Sequence, residues 1–285
     1  MPVFNQEKNI RKVLEKICQA AHKSFDLIVI NDASTDSSQV QLENFCINAP
    51  SEAKKICTLK IVKNAHPLYE TASDNIGFKL ATTEFIIEIQ ADIHIEEPGF
   101  DAKLISAMEQ FQLSAVSGRH IHSFSLLDGP KRWTKYPFRA LKEKFSRSSL
   151  QAGLVGRRIF SRQIVETGVC YRGETCARGP WLLKKSDLHR YGYLDEKHFF
   201  LGNDDHDFHR RMYQETGRVP GYVPLDIYSI EQDGSTRRAR SGLNLEIYKW
   251  LQRNKNGSDA YQKFLANYRP YFPLERLSLV DPDTI

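Results

Sequence analysis

Long apolar runs are missing from this chain of 285 residues. No stretch approaches the roughly 20 consecutive apolar residues that a membrane-spanning helix needs. The opening Met1-Pro2-Val3-Phe4-Asn5-Gln6-Glu7-Lys8 lacks the apolar core of a secretion signal, so a cytoplasmic location is expected. Cysteine is scarce. Cys18, Cys46, Cys57, Cys170 and Cys176 are an odd number, and no two are spaced as a zinc knuckle or redox pair. Cys18 and Cys46 fall among helical apolar positions and read as small core residues. Cys170 and Cys176 are close enough to pair across a turn, but in a reducing compartment they read as free thiols. The chain has no internal repeat and no low-complexity segment.

What is present fits a folded globular protein: 41% hydrophobic and 26% charged residues. The length suits one large α/β domain, or one domain with an appended segment. A net charge of +5 is modest, but its distribution is uneven. Between Lys131 and Arg162 the only acidic residue is Glu143, against ten lysines and arginines interleaved with Trp133, Tyr136, Phe138, Phe145 and Phe160. Phe138, Leu141 and Phe145 sit at helical spacing, consistent with a short amphipathic basic helix. Such a segment is either a solvated face or a surface for an anionic acceptor, an anionic membrane or a nucleic acid.

Apolar periodicity alternates along the first two-thirds of the chain. Helices are expected over 5–22, from 35–36 through Phe45, over 73–81 and over 100–111. Strands are expected at 26–30, 59–62, 85–89 and 115–117. Further on, Trp181-Leu182-Leu183 reads as a strand running into a short helix that ends at Gly192. Residues 204–216 read as a helix with acidic residues in its first turn and Gly217 as its stop. After Gly242, Leu243, Ile247 and Leu251 recur at helical spacing. This βαβα rhythm predicts an α/β fold with an open, largely parallel sheet and helices on both faces.

Carboxylates just past strand ends line the crevice where such sheets bind ligands. Two acidic signals occupy such places: Asn31-Asp32-Ala33-Ser34-Thr35-Asp36 after Leu27-Ile28-Val29-Ile30, and Asp92 of Gln90-Ala91-Asp92-Ile93-His94 after Phe85-Ile86-Ile87. Asp36 also suits a helix N-cap.

Six motifs in consistent order carry a resemblance. Pro2-Val3-Phe4-Asn5-Gln6-Glu7 is similar to Pro-x-Tyr-Asn-x-Glu, and Asn31 to Asp36 to Asp-Asp-Gly-Ser-Thr-Asp. Asp74-Asn75-Ile76-Gly77 with Ala81-Thr82-Thr83-Glu84 resembles Arg-Asn-x-Gly…Ala-x-Gly-Glu. Gln90-Ala91-Asp92 falls at an Asp-x-Asp. Tyr191-Gly192-Tyr193-Leu194-Asp195-Glu196 and Gly202-Asn203-Asp204-Asp205-His206-Asp207 resemble Gly-Gly-Phe-Asp-Glu and Gly-x-Glu-Asp-x-Asp. Together they resemble a family-2 glycosyltransferase of the GT-A fold.

The resemblance implies an inverting enzyme of hexosyltransferase type that moves a sugar from a nucleoside-diphosphate donor to an acceptor hydroxyl. The acceptor would be a glycan, a lipid or a protein. It implies a GT-A domain over 1–236, with a donor-binding half (1–118) and an acceptor half (119–236) containing the basic segment 131–162. A basic loop and helical extension would follow over 237–285. Asp205 becomes the base and Asp204 its neighbour toward the acceptor. Pro2, Asn5, Glu7, Asn31, Asp32 and Asn75 become donor contacts, with Asp32 on the nucleobase, and Arg237 and Arg238 steady the diphosphate. Asp92, with His94 and Glu231, becomes the site for Mn²⁺ or Mg²⁺, hard cations that take carboxylate and phosphate oxygens. Crowding among the carboxylates is expected to raise the pKa of one of them. Trp181 is expected in the core, and Asp207 is expected to serve helix-start electrostatics.

Three departures stand out. The chain opens at the proline that ends the family's first strand, so that strand is expected to be truncated. Asp74 stands in place of Arg, and Gln90 in place of Asp. The alternative is therefore a catalytically degenerate GT-A protein that binds a nucleotide sugar or glycan. A nucleotidyltransferase lacks its Gly-rich phosphate loop here, and no nucleic-acid motif appears, so nucleic acid is not expected as a partner. Peripheral contact with an anionic membrane through 131–162 is compatible with the charge pattern.

Overall fold

The computed structural model describes residues 1–47, 51–119, 168–174, 178–229, 242–267, 272 and 275–280. Strands β1 (Pro2–Val3), β2 (Phe25–Asn31) and β3 (Ile56–Lys63) form a parallel sheet in that order. The first strand is thus present, but only two residues long, with Pro2 opposite Ile30 and Val3 opposite Asn31. Helices α1 (Ile10–Ala20), α2 (Ser38–Ile47) and α3 (Tyr69–Leu80) connect and flank these strands. β4 (Phe85–Glu88), β5 (Ile93–Ile95), α4 (Phe100–Phe111) and β6 (Val116–Ser117) follow. Beyond them lie β7 (Val169–Arg172), β8 (Trp181–Lys184), α5 (Lys185–Tyr191), α6 (Asp204–Thr216), β9 (Gly221–Tyr222) and β10 (Ile227–Ser229). α7 (Gly242–Leu251), α8 (Asp259–Asn267) and β11 (Glu275–Ser278) complete the described chain.

The parallel expectation holds for the first sheet and is corrected in the second. That sheet runs β11-β7-β9-β6-β8-β4, and among the described residues β6–β9 is its one parallel pairing. β8 lies between β4 and β6 and runs against both. β5 and β10 form a separate antiparallel pair. Local apolar pattern sets strand position but not direction, which depends on the partner the strand meets.

Helix starts show the same division. α1 buries Ile10, Val13, Leu14, Ile17 and Cys18 on one face, the spacing that the sequence displays. It begins five residues later than expected because Asn5 has a φ of 51° and its side chain is tied to Thr35. α3 begins four residues earlier, because Asp32 accepts from the backbone N–H groups of Leu68 and Tyr69, both at 2.8 Å. This N-terminal cap comes from another loop, so no local signal announces it. α4 and α6 keep their expected bounds, and Gly217 closes α6 at a φ of 69°.

One core cluster joins Val3, Leu14, Val29, Leu42 and Phe45 around the first sheet. Another joins Phe78, Trp181, Leu183, Leu188, Phe208 and Met212, with Trp181 fully buried as expected. The C-terminal extension packs on the same body. Leu251 meets Tyr69 and Phe200, while Tyr261 and Phe264 meet Phe199. β11 pairs with β7 at the sheet edge. Cys18 is buried, but Cys46 is exposed, which corrects its expected core position. Burial pushes the Cys170 thiol up to about 12. Cys176 lies outside the described residues.

Candidate active site

Past the ends of β1, β2 and β3, three loops are stitched together. The Asn64 backbone N–H donates to the Asn31 carbonyl (2.9 Å), and that of Asp32 donates to Val3 (2.8 Å). Asn5 accepts from the Thr35 N–H at 2.8 Å, and Glu7 accepts from the Ser37 N–H at 3.0 Å. Asn31 Oδ1 accepts from the Ser34 N–H at 3.0 Å, while its amide donates to Gln39 at 2.6 Å. Asp36 accepts from the Ser38 N–H at 2.9 Å and starts α2, as a cap does. These side chains bond to one another past the strand ends, beside Pro2 of β1.

Asp32 links the end of β2 to α3. Its carboxylate accepts from Asn64 Nδ2, Leu68 N and Tyr69 N, each at 2.8 Å, and it is buried. Burial raises its pKa, and the bonds from Leu68, Asn64, Tyr69 and Ser73 oppose that rise. The group expected to read a base also holds the start of α3.

α3 is the axis of the site. Above Tyr69, Glu70 accepts from the Gln90 amide, and Asp74 pairs with Arg178. Asn75, one residue on, exchanges bonds with the Leu194 backbone at 2.8 and 3.1 Å. Asn75 thus clamps the segment before α6. Gln90 also accepts from Arg119 at 2.9 Å. Gly179, at a φ of 73°, brings the Arg178 segment against the Gln90 turn. A Cβ there would lie 3.1 Å from Ile93 Cγ1 and 3.3 Å from Gln90 N.

Arg178 is 3% exposed and pairs with both Asp74 and Asp204, with Glu70 at 3.5 Å. Burial alone would lower its pKa, but Asp204, Glu70, Asp74 and Asp205 outweigh that and keep it firmly charged. Burial pushes Glu70 up, and it pushes Glu88 up to about 7; Arg178 opposes the rise in both. Among the described residues, neither carboxylate oxygen of Glu88 has a hydrogen-bond partner.

α6 opens after Gly202 and Asn203, both at positive φ. Asp204 is fully buried and paired with Arg178. Asp205 bonds the His206 N–H at 2.8 Å. Burial raises the Asp205 pKa, but His206, Arg178 and His209 overcome it, and the net direction is downward. The expected upward shift therefore belongs to Glu70, Asp74 and Glu88, each pushed up by burial, and not to Asp205. Asp207 pairs with Arg210 and Arg211 of its own helix, a structural part as expected.

Asp92 is half-buried in the turn whose Ile93 N–H donates to the Gln90 carbonyl (3.1 Å). His94 is fully buried in β5, its ring stacked on Tyr228 at 4.7 Å, and so belongs to the β5–β10 packing. Among the described residues, no three His, Cys, Asp or Glu side chains converge to hold a metal ion. Glu231, Arg237, Arg238 and the segment 131–162 lie outside the described residues.

The family model described as "Glycosyl transferase family 2" matches residues 1–168. The chain belongs to glycosyl transferase family 2. Its fold is that of GT-A glycosyltransferases. TarS 1–349 of S. aureus aligns with a TM-score of 0.50 and 15% identity, over 92% of this chain and 66% of that one. The mannosyltransferase PcManGT of Pyrobaculum calidifontis, solved with GDP-Man and Mn²⁺, gives 0.50 and 14% over 93% and 71%. GalNAc-T7, solved with UDP, GalNAc and Mn²⁺, gives 0.53 and 11% over 88% and 46%. This family-2 chain thus spans just under two-thirds of the TarS fragment and about half of GalNAc-T7. No curated protein matches its sequence.

Within the family pattern, the structure gives both internal departures a partner. Asp74, in place of Arg, receives a guanidinium from Arg178, and Gln90, in place of Asp, is bonded by Glu70 and Arg119. Sequence reading passed over Arg178, Glu70, Glu88, Arg119 and Asn64. The one available signal was an arginine directly before Gly179-Pro180-Trp181, with nothing local to name its partners. Among the described residues, no helix is long and apolar enough to cross a membrane.

Proposed function

We propose that this chain transfers a hexosyl group from a nucleoside-diphosphate donor to an acceptor hydroxyl with inversion, Asp205 serving as base. The observation that carries the reading is Asp205 itself, a carboxylate at the start of α6 whose pKa is drawn down by Arg178, His206 and His209. A base already ionised at neutral pH takes the acceptor's hydroxyl proton without first losing one of its own. The acceptor oxygen bonds to the anomeric carbon as that carbon's bond to the phosphate oxygen breaks. The electron pair leaves with the nucleoside diphosphate.

Pro2, Asn5, Glu7, Asn31 and Asp32 form the crevice wall that the donor nucleoside would meet. Asp92 suits Mg²⁺ or Mn²⁺ in the mode where one or two carboxylates are completed by phosphate oxygens and water. When bound, such an ion neutralises the departing diphosphate. Glu231 would add an oxygen ligand, and Arg237 and Arg238 would contact the phosphates. The ligands named for PcManGT and GalNAc-T7 support a hexose donor and Mn²⁺. The segment 131–162 would meet a glycan, lipid or protein acceptor, or an anionic membrane from the cytoplasmic side.

A second reading, a donor-binding relative without turnover, is favoured by one observation: Gln90 is neutral and bonded at both ends of its amide. The test is nucleoside-diphosphate release from UDP-, GDP- and dTDP-hexoses with Mn²⁺, Mg²⁺ or EDTA. Turnover of one donor, lost in Asp205→Asn while donor binding persists, is expected. Full activity in Asp205→Asn overturns the base, and binding without turnover of any donor selects the second reading.

A further inference from the structure

At the start of α6, which carries Asp205, Gly202 and Asn203 stand in left-handed backbone and the Asn203 side chain makes no cap bond. Arg178 reaches this turn from another segment. Its NH1 meets Asp74 on α3, and its NH2 meets Asp204 at the first position of α6. Asp204 in turn accepts from the Asp205 N–H at 3.1 Å. NH1 also lies 3.5 Å from Glu70, which bonds Gln90 at the turn carrying Asp92. A continuous line thus runs from Arg119 through Gln90, Glu70 and Arg178 to Asp204.

We propose that Arg178 is a positioning residue for sugar transfer, its forked guanidinium fixing the start of α6, and with it Asp205, against α3 and the Gln90 turn. This deepens the reading of Asp205 as the base and rests on it. The planar fork matters, because a lysine places one compact charge where arginine serves two carboxylates at once. The groups facing Asp205 are Asp204, His206 and His209 on its own helix, and Arg178 and Glu70 from the elements packed against it. Of the last two, only Arg178 is cationic.

The test is side-chain carboxyl NMR of aspartate-labelled protein, with Asp205→Asn assigning the signal, in wild type, Arg178→Met and Arg178→Lys. Nucleoside-diphosphate release is measured beside it. The Asp205 midpoint is expected to rise in Arg178→Met and to stay low in Arg178→Lys. In Arg178→Lys, kcat is expected to fall roughly tenfold or more with the donor KM unchanged, because charge is kept and placement is lost. An unmoved midpoint in folded Arg178→Met, or wild-type kcat in Arg178→Lys, overturns the proposal. If Arg178→Met does not fold, the kcat-against-KM split in Arg178→Lys decides. The NMR arm needs no turnover, so failure of the transferase reading is seen separately from failure of this one.

Discussion

Arg178 and Asp74 stand 104 positions apart in sequence and form an ion pair in which their side chains are 3% and 1% exposed. The cation that the family pattern places at position 74 is thus supplied to the same helix from outside it. With Asp204 on its other arm, Arg178 ties α3 to α6.

Breaking this pair leaves buried charge without compensation. Arg178→Met is expected to lower unfolding free energy by about 3–5 kcal/mol in denaturant titrations. Asp74→Arg, which restores the family's residue, should destabilise comparably by setting one guanidinium against another. A fully stable Asp74→Arg protein would show that position 74 tolerates either charge and that the pair is incidental.

Asp205→Asn removes the proton acceptor while keeping shape. A loss of roughly 10²–10⁴ in kcat is expected, with donor binding retained in calorimetry. A base must be ionised, so wild-type activity should fall as pH drops through the Asp205 pKa. That pKa is drawn below the ordinary carboxylate value by His206, Arg178 and His209, so the acid limb should lie below the usual carboxylate range. A limb near neutrality would assign the base to another group.

Glu88 sets a stability effect of opposite sign. Its folded pKa is pushed to about 7 from 4.5. The folded state therefore holds the proton more tightly than the unfolded one. This contribution is full below pH 4.5 and is lost as pH rises through 7. Glu88→Met should remove that decline and stabilise the protein at pH 8 by on the order of 1–3 kcal/mol. Thermal melts of both proteins between pH 5 and about 8 check it; parallel curves would show that Glu88 does not titrate there.

Asn75→Ala should lower stability by roughly 1–3 kcal/mol, because the Leu194 N–H and carbonyl lose their partners inside the protein. If the Leu194 clamp is its whole role, Asn75 should leave the donor KM nearly unchanged in the folded variant. A KM effect that outweighs the loss of stability would return it to the donor site.

The sequence by itself determined what repeats locally. The apolar spacing of Ile10, Val13, Leu14 and Ile17 gave α1 its buried face, and the Gly217 stop gave α6 its end, because both depend on backbone and side-chain geometry within a few turns. The ordered motifs from Pro2 to Asp207 named the family. Tertiary structure decided what surrounds each carboxylate. Asp32 caps α3 and Asp204 meets Arg178, while Asp205 lies at the helix start with its pKa drawn down. It also decided strand direction, setting β8 against β4 and β6. A buried charge takes its state from groups that folding brings within a few ångströms. Those groups lie up to a hundred residues away, so spacing along the chain carries no trace of them.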